Sequence, residues 1–293
     1  MADPAAPGEP VDTPPTNAGT DPKIEARVVV PSKPTVPRDA ARVLVTNDDG
    51  IDSPGIARIV AALKFDFDVI VAAPSRDWSG AGTSIGRFDP RTGIPLRRVE
   101  LDGARAYAID GPPGLAVMAA ALGAFGDPFD LVVSGINPGI NTGHSVIHSG
   151  TVGAALTART FGAHGVAVSL VPSDPWQWDT AAAIGTAAAC WVTAQEREPL
   201  TLSINVPSVP IEQVRGLRRS ELDDFGYFRV AIADEGNEKL EFEVLQDHGT
   251  APEGSDSWLL GQGYATITAL GRLSAAPNSL PTELTDVWRP TGD

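Results

Sequence analysis

From Val43 onward, short apolar runs recur along the chain, each followed by polar turn residues and then an Ala-rich segment. Val43–Thr46, Val69–Ala73, Leu131–Ser134, Val166–Leu170 and Leu200–Asn205 are rich in aliphatic and β-branched residues and predict strands. Gly55–Leu63, Gly114–Leu122, Ser149–Phe161 and Thr180–Gln195 fall between them and predict helices. Val166–Leu170 has no polar alternation, as expected of a strand buried on both faces. Strand–helix alternation of this kind predicts an α/β fold, a mainly parallel sheet flanked by helices.

The two ends of the chain read differently. Residues 1–39 are rich in Pro, Ala, Thr, Gly and acidic residues, with few large apolar side chains. Such a segment buries too little surface to offset its ordering entropy, which predicts a disordered tail ahead of one folded domain over 40–293. From about residue 217 the pattern changes to β. Arg218–Val230 and Lys239–Leu245 predict antiparallel strands, with Leu240, Phe242 and Val244 alternating against acidic neighbours, and Tyr264–Leu270 predicts another. Residues 276–293, punctuated by Pro, Asn and Thr around an isolated Trp288, complete a β-rich C-terminal extension over 217–293.

Charge and cysteine content narrow the chemistry. With 22 Lys and Arg against 37 Asp and Glu, the net charge of −15 repels nucleic acid and anionic membranes. An anionic small molecule then needs a local counter-charge from a metal, an Arg or a helix N-terminus. The single cysteine, Cys190, rules out an intramolecular disulfide framework and a Cys-rich zinc site. It lies in Ala187-Ala188-Ala189-Cys190-Trp191-Val192 and is expected in the core. No apolar run approaches the 18 or so residues of a membrane span, and no secretory signal pattern is visible, so a cytoplasmic protein is expected.

Three loops that follow predicted strands are rich in the same chemical types. They are Asn47-Asp48-Asp49-Gly50, the segment Pro74 to Ser84 with its Ser79-Gly80-Ala81-Gly82 core, and Gly135 to Gly143 continuing into Ser149-Gly150-Thr151-Val152. In a parallel sheet such loops emerge at one edge and can converge. Paired carboxylates, hydroxyls and amide oxygens are hard donors that suit Mg²⁺, Mn²⁺ or Ca²⁺, not zinc. Ser149-Gly150-Thr151 at a helix start would supply N–H donors and the positive end of the helix dipole for a phosphate. Each feature alone also has a purely structural explanation: Asn-Asp-Asp-Gly as a polar turn, Asn137-Pro138-Gly139 as a turn, Ser149 as a helix cap. His144 and His148 flank the third loop without an acidic or Cys partner, and Arg76 is either a phosphate contact or a solvated loop residue.

Taken in order along residues 42–270, these segments resemble the SurE family of survival-protein nucleotidases. The similarity runs through Asn47-Asp48-Asp49-Gly50, Pro54-Gly55-Ile56, Ala73-Pro74 and Ser79-Gly80-Ala81. It continues through Val132 to Gly143, Val146-Ile147-His148-Ser149-Gly150-Thr151-Val152, Ala167 to Leu170, Asn205-Val206-Pro207, Gly254-Ser255-Asp256 and Gly263 to Thr268. The resemblance implies a Rossmann-like core and a single divalent metal, Mg²⁺ or Mn²⁺, held by Asp48, Asp49, Ser79 and Asn137. It implies that Asn141 and Ser149-Gly150-Thr151 hold the phosphate of a nucleoside monophosphate. It also implies a C-terminal extension that exchanges between protomers of a homodimer or homotetramer. Where the family carries Gly-Asp-Asp and then Val-Ile-Tyr, this chain has Gly143-His144-Ser145 and Val146-Ile147-His148. Its Ser75-Arg76-Asp77-Trp78-Ser79 and Gly111-Pro112-Pro113-Gly114-Leu115 also depart from the family's pattern. None of these changes removes an implied metal ligand.

The expected activity is therefore metal-dependent phosphomonoester hydrolysis, that of a nucleoside 5′- or 3′-monophosphate phosphatase. Asp48, Asp49 and Asn141 are its candidate catalytic residues, with Asp48 as ligand, general base or nucleophile. Two rivals are a sugar-nucleotide transferase, for which no acceptor-binding half is evident, and a non-catalytic nucleotide sensor suggested by the altered rim.

Overall fold

In the computed structural model, residues 40–271 and 274 are described, except 88, 90, 196–197, 225–228, 236–239 and 246–250. The expected tail over 1–39 and the segment 276–293 with Trp288 lie outside the described residues. The elements run β1 (Arg42–Thr46), α1 (Pro54–Leu63), β2 (Asp68–Pro74), β3 (Leu96–Leu101), β4 (Ala104–Ile109), α2 (Pro113–Ala121) and β5 (Leu131–Pro138). They continue with α3 (Gly150–Thr160), β6 (His164–Leu170), α4 (Trp178–Thr193), β7 (Thr201–Val206), β8 (Leu217–Arg219), β9 (Arg229–Glu235), β10 (Leu240–Leu245), α5 (Asp256–Gly261) and β11 (Ala265–Leu270). A six-residue 3₁₀ helix, Gly143–His148, leads directly into α3.

Nine strands form one sheet in the order β3-β4-β2-β1-β5-β6-β7-β11-β8. Pairings from β4 to β7 are all parallel, and only β3 with β4 and β7 with β11 are antiparallel in this sheet. The expected mainly parallel α/β sheet is what the chain forms. The strands β1, β6 and β7 are buried along almost their whole length because helices cover both faces. Val43 and Val45 pack with α1 and α4 residues such as Ile56, Ile59 and Val192, whereas Leu44 packs with α2 and α3 residues such as Leu115 and Ala158. Strand periodicity alone assigns these neighbours to opposite layers.

The chain builds outward from β1 through β2 and then returns to the other side of β1 as β5. That reversal places the carboxyl ends of β1 and β5 side by side at the switch point, where a crevice opens above an α/β sheet. Thr46 is in register with Ser134, so Asn47 and Gly135 are the next neighbours.

Three expectations need correction. Arg218–Val230 is not one strand: β8 ends at Arg219 and pairs parallel with β11, while β9 begins at Arg229 and pairs antiparallel with β10. The chain leaves the sheet at Ser220, whose hydroxyl bonds Thr268 at 2.8 Å, and buries Asp223. Leu96–Leu101 and Ala104–Ile109, not anticipated, make an edge hairpin whose outer strand exposes Leu96, Arg97, Arg98 and Glu100. Cys190 is exposed, not core. On α4 the buried face carries Ala181, Ala182, Gly185, Ala188, Ala189 and Val192, and the helical period turns Cys190 away from it. Slight desolvation of this exposed side chain, and secondarily the nearby Asp66, raises the Cys190 thiol pKa, which disfavours the reactive thiolate. Among the described residues, no helix is long and apolar enough to cross a membrane.

Candidate functional site

The end of β1 folds around the Asn47 side chain. Asn47, fully buried, donates from Nδ2 to the Gly50 carbonyl at 2.9 Å and to Ser53 Oγ at 2.8 Å. Ser53 in turn caps α1, its hydroxyl accepting from the Ile56 N–H. Gly50 makes the turn at φ +105°, a conformation that disfavours any side chain. The turn presents Asp48 and Asp49 at the mouth of the switch-point crevice. It is therefore a cap and turn as well as a carrier of carboxylates, and the two descriptions do not compete.

Asp48 is almost completely buried, and its Oδ1 accepts a 2.5 Å hydrogen bond from Thr151 Oγ1 at the start of α3. The approach of α3 is possible only because position 150 is glycine. A Cβ there would lie 2.7 Å from Asp48 Cβ and 2.8 Å from its Oδ2, closer than real Cβ contacts. Ser149 caps α3, accepting from the Val152 N–H at 3.1 Å. Thr151 thus spends its hydroxyl proton on Asp48, which the sequence did not foretell.

The second loop is tied to both of its neighbours. The Trp78 N–H donates to the Asp48 carbonyl at 2.7 Å, and the Gly82 N–H donates to the His148 carbonyl at 3.1 Å. Ser79 is exposed, its N–H held by Asp77 Oδ1 at 2.7 Å in a turn that aims the loop. Arg76 stacks on Trp78 at 4.4 Å and ion-pairs with Asp110 at 3.7 Å rather than with Asp48 or Asp49.

The third loop is fixed from below. Asn137 donates from Nδ2 to the Gly139 carbonyl at 2.7 Å, which turns its planar amide oxygen the other way. Asn141 is gripped by Asn205 of β7 and Ser169 of β6, each at 2.8 Å. The Gly143 N–H donates to Asp256 Oδ2 at 2.9 Å, and Asp256 Oδ1 accepts from Asp223 and Ser257 N–H groups. Burial still raises the Asp256 pKa despite these three bonds. His144 and His148 stand exposed at the rim.

All the expected residues therefore sit at one edge of the sheet. Direct contacts join Asp48 with Thr151, and close approach joins it with Gly150, while Ser79 and Asn137 arrive on the adjoining loops. Among the described residues, neither Ser79 nor Asn137 has a side-chain hydrogen bond to the carboxylates. Five supporting residues were not anticipated in these roles: Asp77, Ser169, Asn205, Asp256 and Ser53. Asp77 left a local signal, an acid two residues before Ser79 in a turn-forming segment, while Ser169, Asn205 and Asp256 lie in segments that carried the resemblance without a role assigned to them.

The electrostatics of the two carboxylates favour a positive partner. Burial raises the Asp48 pKa, partly opposed by the Thr151 hydrogen bond. Burial, then the Asp48 charge, pushes Asp49 up to about 7, and Asp77 raises both. Among the described residues, no Lys, Arg or His ion-pairs with Asp48 or Asp49. A buried and a half-buried carboxylate side by side are disfavoured as charged groups unless a cation joins them. The same residues contain no cluster of three His, Cys, Asp or Glu, so the donors are two carboxylates supplemented by neutral oxygens. That set fits a hard divalent ion such as Mg²⁺ or Mn²⁺ and does not fit structural zinc.

A family model for "Survival protein SurE" matches residues 43–227. The 5′-nucleotidase SurE of Chloroflexus aggregans is 37% identical over 235 residues, spanning 77% of this chain and 91% of that protein. The protein of the same name from Marinomonas sp. (strain MWYL1) is 36% identical over 236 residues, spanning 78% and 91%. The crystal structure of the Sure protein from Aquifex aeolicus matches with a TM-score of 0.69 at 26% identity, covering 84% of this chain and 98% of that one.

Proposed function

The chain belongs to the survival protein SurE family, and from that premise we propose that it is a metal-dependent nucleotide phosphatase, releasing inorganic phosphate from nucleoside monophosphates. The observation that carries the proposal is the pair of buried Asp48 and half-buried Asp49, without a counter-charge among the described residues, with Asp48 against the glycine-opened N-terminus of α3.

Asp48, Asp49, Ser79 and Asn137 would hold one Mg²⁺ or Mn²⁺. Such an ion supplies Lewis-acid polarisation of a phosphoryl oxygen and lowers the pKa of a bound water. The remaining work falls to the chain. Gly150 and Thr151 offer backbone N–H groups at the positive end of α3, and Ser149 a hydroxyl proton not used in capping, to hold phosphoryl oxygens. Asn141 contributes the amide hydrogen that Ser169 leaves free. Thr151 orients Asp48 rather than the phosphate, because its hydroxyl proton is already donated there. These donors stand in place before substrate arrives, so they need not reorganise as charge grows on the phosphoryl oxygens.

A non-catalytic sensor is the weaker reading, since the rim changes at His144, Ser145 and His148 leave every proposed ligand intact. Self-association through residues 217–293 belongs to the same proposal, and a monomer in light scattering would remove it. The test of substrate class is a panel of nucleoside 5′- and 3′-monophosphates, sugar phosphates and nucleotide sugars assayed with Mg²⁺ or Mn²⁺. Free phosphate from the nucleoside monophosphates is expected. Sugar transfer without phosphate release, or tight nucleotide binding with no turnover over hours, would contradict it.

A further inference from the structure

The Asn205-Val206-Pro207 segment ends β7, a strand that contributes none of the proposed ligands, yet Asn205 is 1% exposed and points at the site loop. Its carboxamide captures both backbone groups of a single residue. Asn205 Oδ1 accepts the Asn141 N–H at 2.8 Å, and Asn205 Nδ2 donates to the Asn141 carbonyl at 2.8 Å. A neighbouring strand would make the same two bonds to a paired residue. Here a side chain makes them to an irregular loop. Ser169, the direct cross-strand partner of Asn205 on β6, accepts from Asn141 Nδ2 at 2.8 Å. Asn141 is thus fixed in backbone and side chain by two adjacent strands on one face of the sheet.

We infer that Asn205, assisted by Ser169, is a positioning residue that sets the Asn141 amide for the phosphoryl group. Asn205 touches no substrate itself. Its two bonds fix where the Asn141 Cα sits, and the Ser169 bond fixes the rotation of the carboxamide, so one N–H is left aimed outward. The inference rests on the proposed contact between Asn141 and phosphate. It goes further in assigning to β6 and β7, which carry no ligand, the task of holding the phosphate-binding loop still. A displacement of about 1 Å at such a donor lowers rates on the order of 100-fold.

The test compares Asn141→Ala, Asn205→Ala, Asn205→Asp, Ser169→Ala and the double variant Asn141→Ala/Asn205→Ala in the full chain. Phosphate release from AMP, inhibition by inorganic phosphate, Mn²⁺ affinity and Tm are read for each. Asn205→Ala is expected to lower kcat/KM by about 10- to 100-fold and to weaken inorganic phosphate inhibition, with Mn²⁺ affinity unchanged. Asn205→Asp sets an oxygen against the Asn141 carbonyl and is expected to do the same. The double variant should fall within about twofold of Asn141→Ala, because a clamp has no effect once its target is gone. Ser169→Ala removes one buried oxygen and gives a smaller change in the same direction, also should Asn205→Ala fail to fold. Multiplying effects in the double variant, or a folded Asn205→Ala with unaltered phosphate inhibition, overturns the inference. A neutral Asn141→Ala instead overturns the proposed phosphate contact, so the two failures are distinguishable.

Discussion

Asp49→Ala is expected to abolish phosphate release while leaving the fold at least as stable. Asp48 is buried and Asp49 half-buried at one turn, with no counter-charge among the described residues. In the metal-free protein, folding therefore works against both negative charges, and deleting one relieves that burden. On the proposed mechanism, catalysis depends on the same charges to hold a cation whose contribution to the transition state is several kcal/mol, so roughly a 1,000-fold loss or more is expected. The combination distinguishes a functional carboxylate from a structural one. A purely structural Asp49 predicts a lower Tm with activity retained per folded molecule. A functional one predicts an equal or higher Tm in chelator, lost activity, and no stabilisation by added Mn²⁺. Thermal melts with and without Mn²⁺, beside phosphate release, read all three.

Gly150→Ala is expected to damage the site through shape rather than charge. The added Cβ would lie 2.7, 2.8 and 3.0 Å from the Asp48 Cβ, Oδ2 and Cγ, so either α3 or the Asp48 side chain must move. Alanine is otherwise a good residue in a helix, and position 150 has no left-handed conformation to lose. The strain therefore falls on Asp48 and on its 2.5 Å bond from Thr151. Overpacking of this kind typically destabilises by about 1–3 kcal/mol, whereas misplacing a site group by about 1 Å lowers turnover on the order of 100-fold. Weaker Mn²⁺ binding and a fall in kcat are expected together, in a protein that still folds. Gly261→Ala, where nothing lies within 4 Å of the new Cβ, is the matched control and should leave all of these unchanged. Full activity in Gly150→Ala would mean that α3 does not need its close approach to Asp48.

The residues that were legible in the sequence and those that were not differ in a definite physical way. The strands β1, β2, β5, β6 and β7 are apolar runs because helices bury both of their faces, so composition alone reveals them. The outer strand β3, Leu96-Arg97-Arg98-Val99-Glu100-Leu101, lies at a solvent-facing edge, where charged side chains blur the strand pattern. Three exposed residues make β8, too few to show any period. Cys190 misleads because its run is apolar in sequence, while only the residues returning every third or fourth position reach the core.

The site divides in the same manner. Asp48, Asp49, Ser79, Asn137, Asn141 and Ser149-Gly150-Thr151 sit in dense loops whose local chemistry announces them. The groups that aim them do not, because each acts across a long stretch of chain. Ser169 lies 28 residues from Asn141, Asn205 lies 64 away, and Asp256 reaches Gly143 across 113. A buried Ser or Asn in a strand looks ordinary until its partner is known. Thr151 shows the converse: its place at the proposed phosphate cradle is plain in sequence, but the direction of its hydroxyl depends on Asp48, 103 residues earlier.

The most direct test of the account is phosphate release from AMP by the full chain, first stripped with EDTA and then resupplied with Mn²⁺ or Mg²⁺. The carboxylate pair, without a cationic side chain beside it among the described residues, predicts that release stops on chelation and returns on adding the ion, in wild type but not in Asp49→Ala. An unchanged rate in EDTA, or recovery by Asp49→Ala, would contradict the claim that Asp48 and Asp49 form the metal centre of a nucleotide phosphatase.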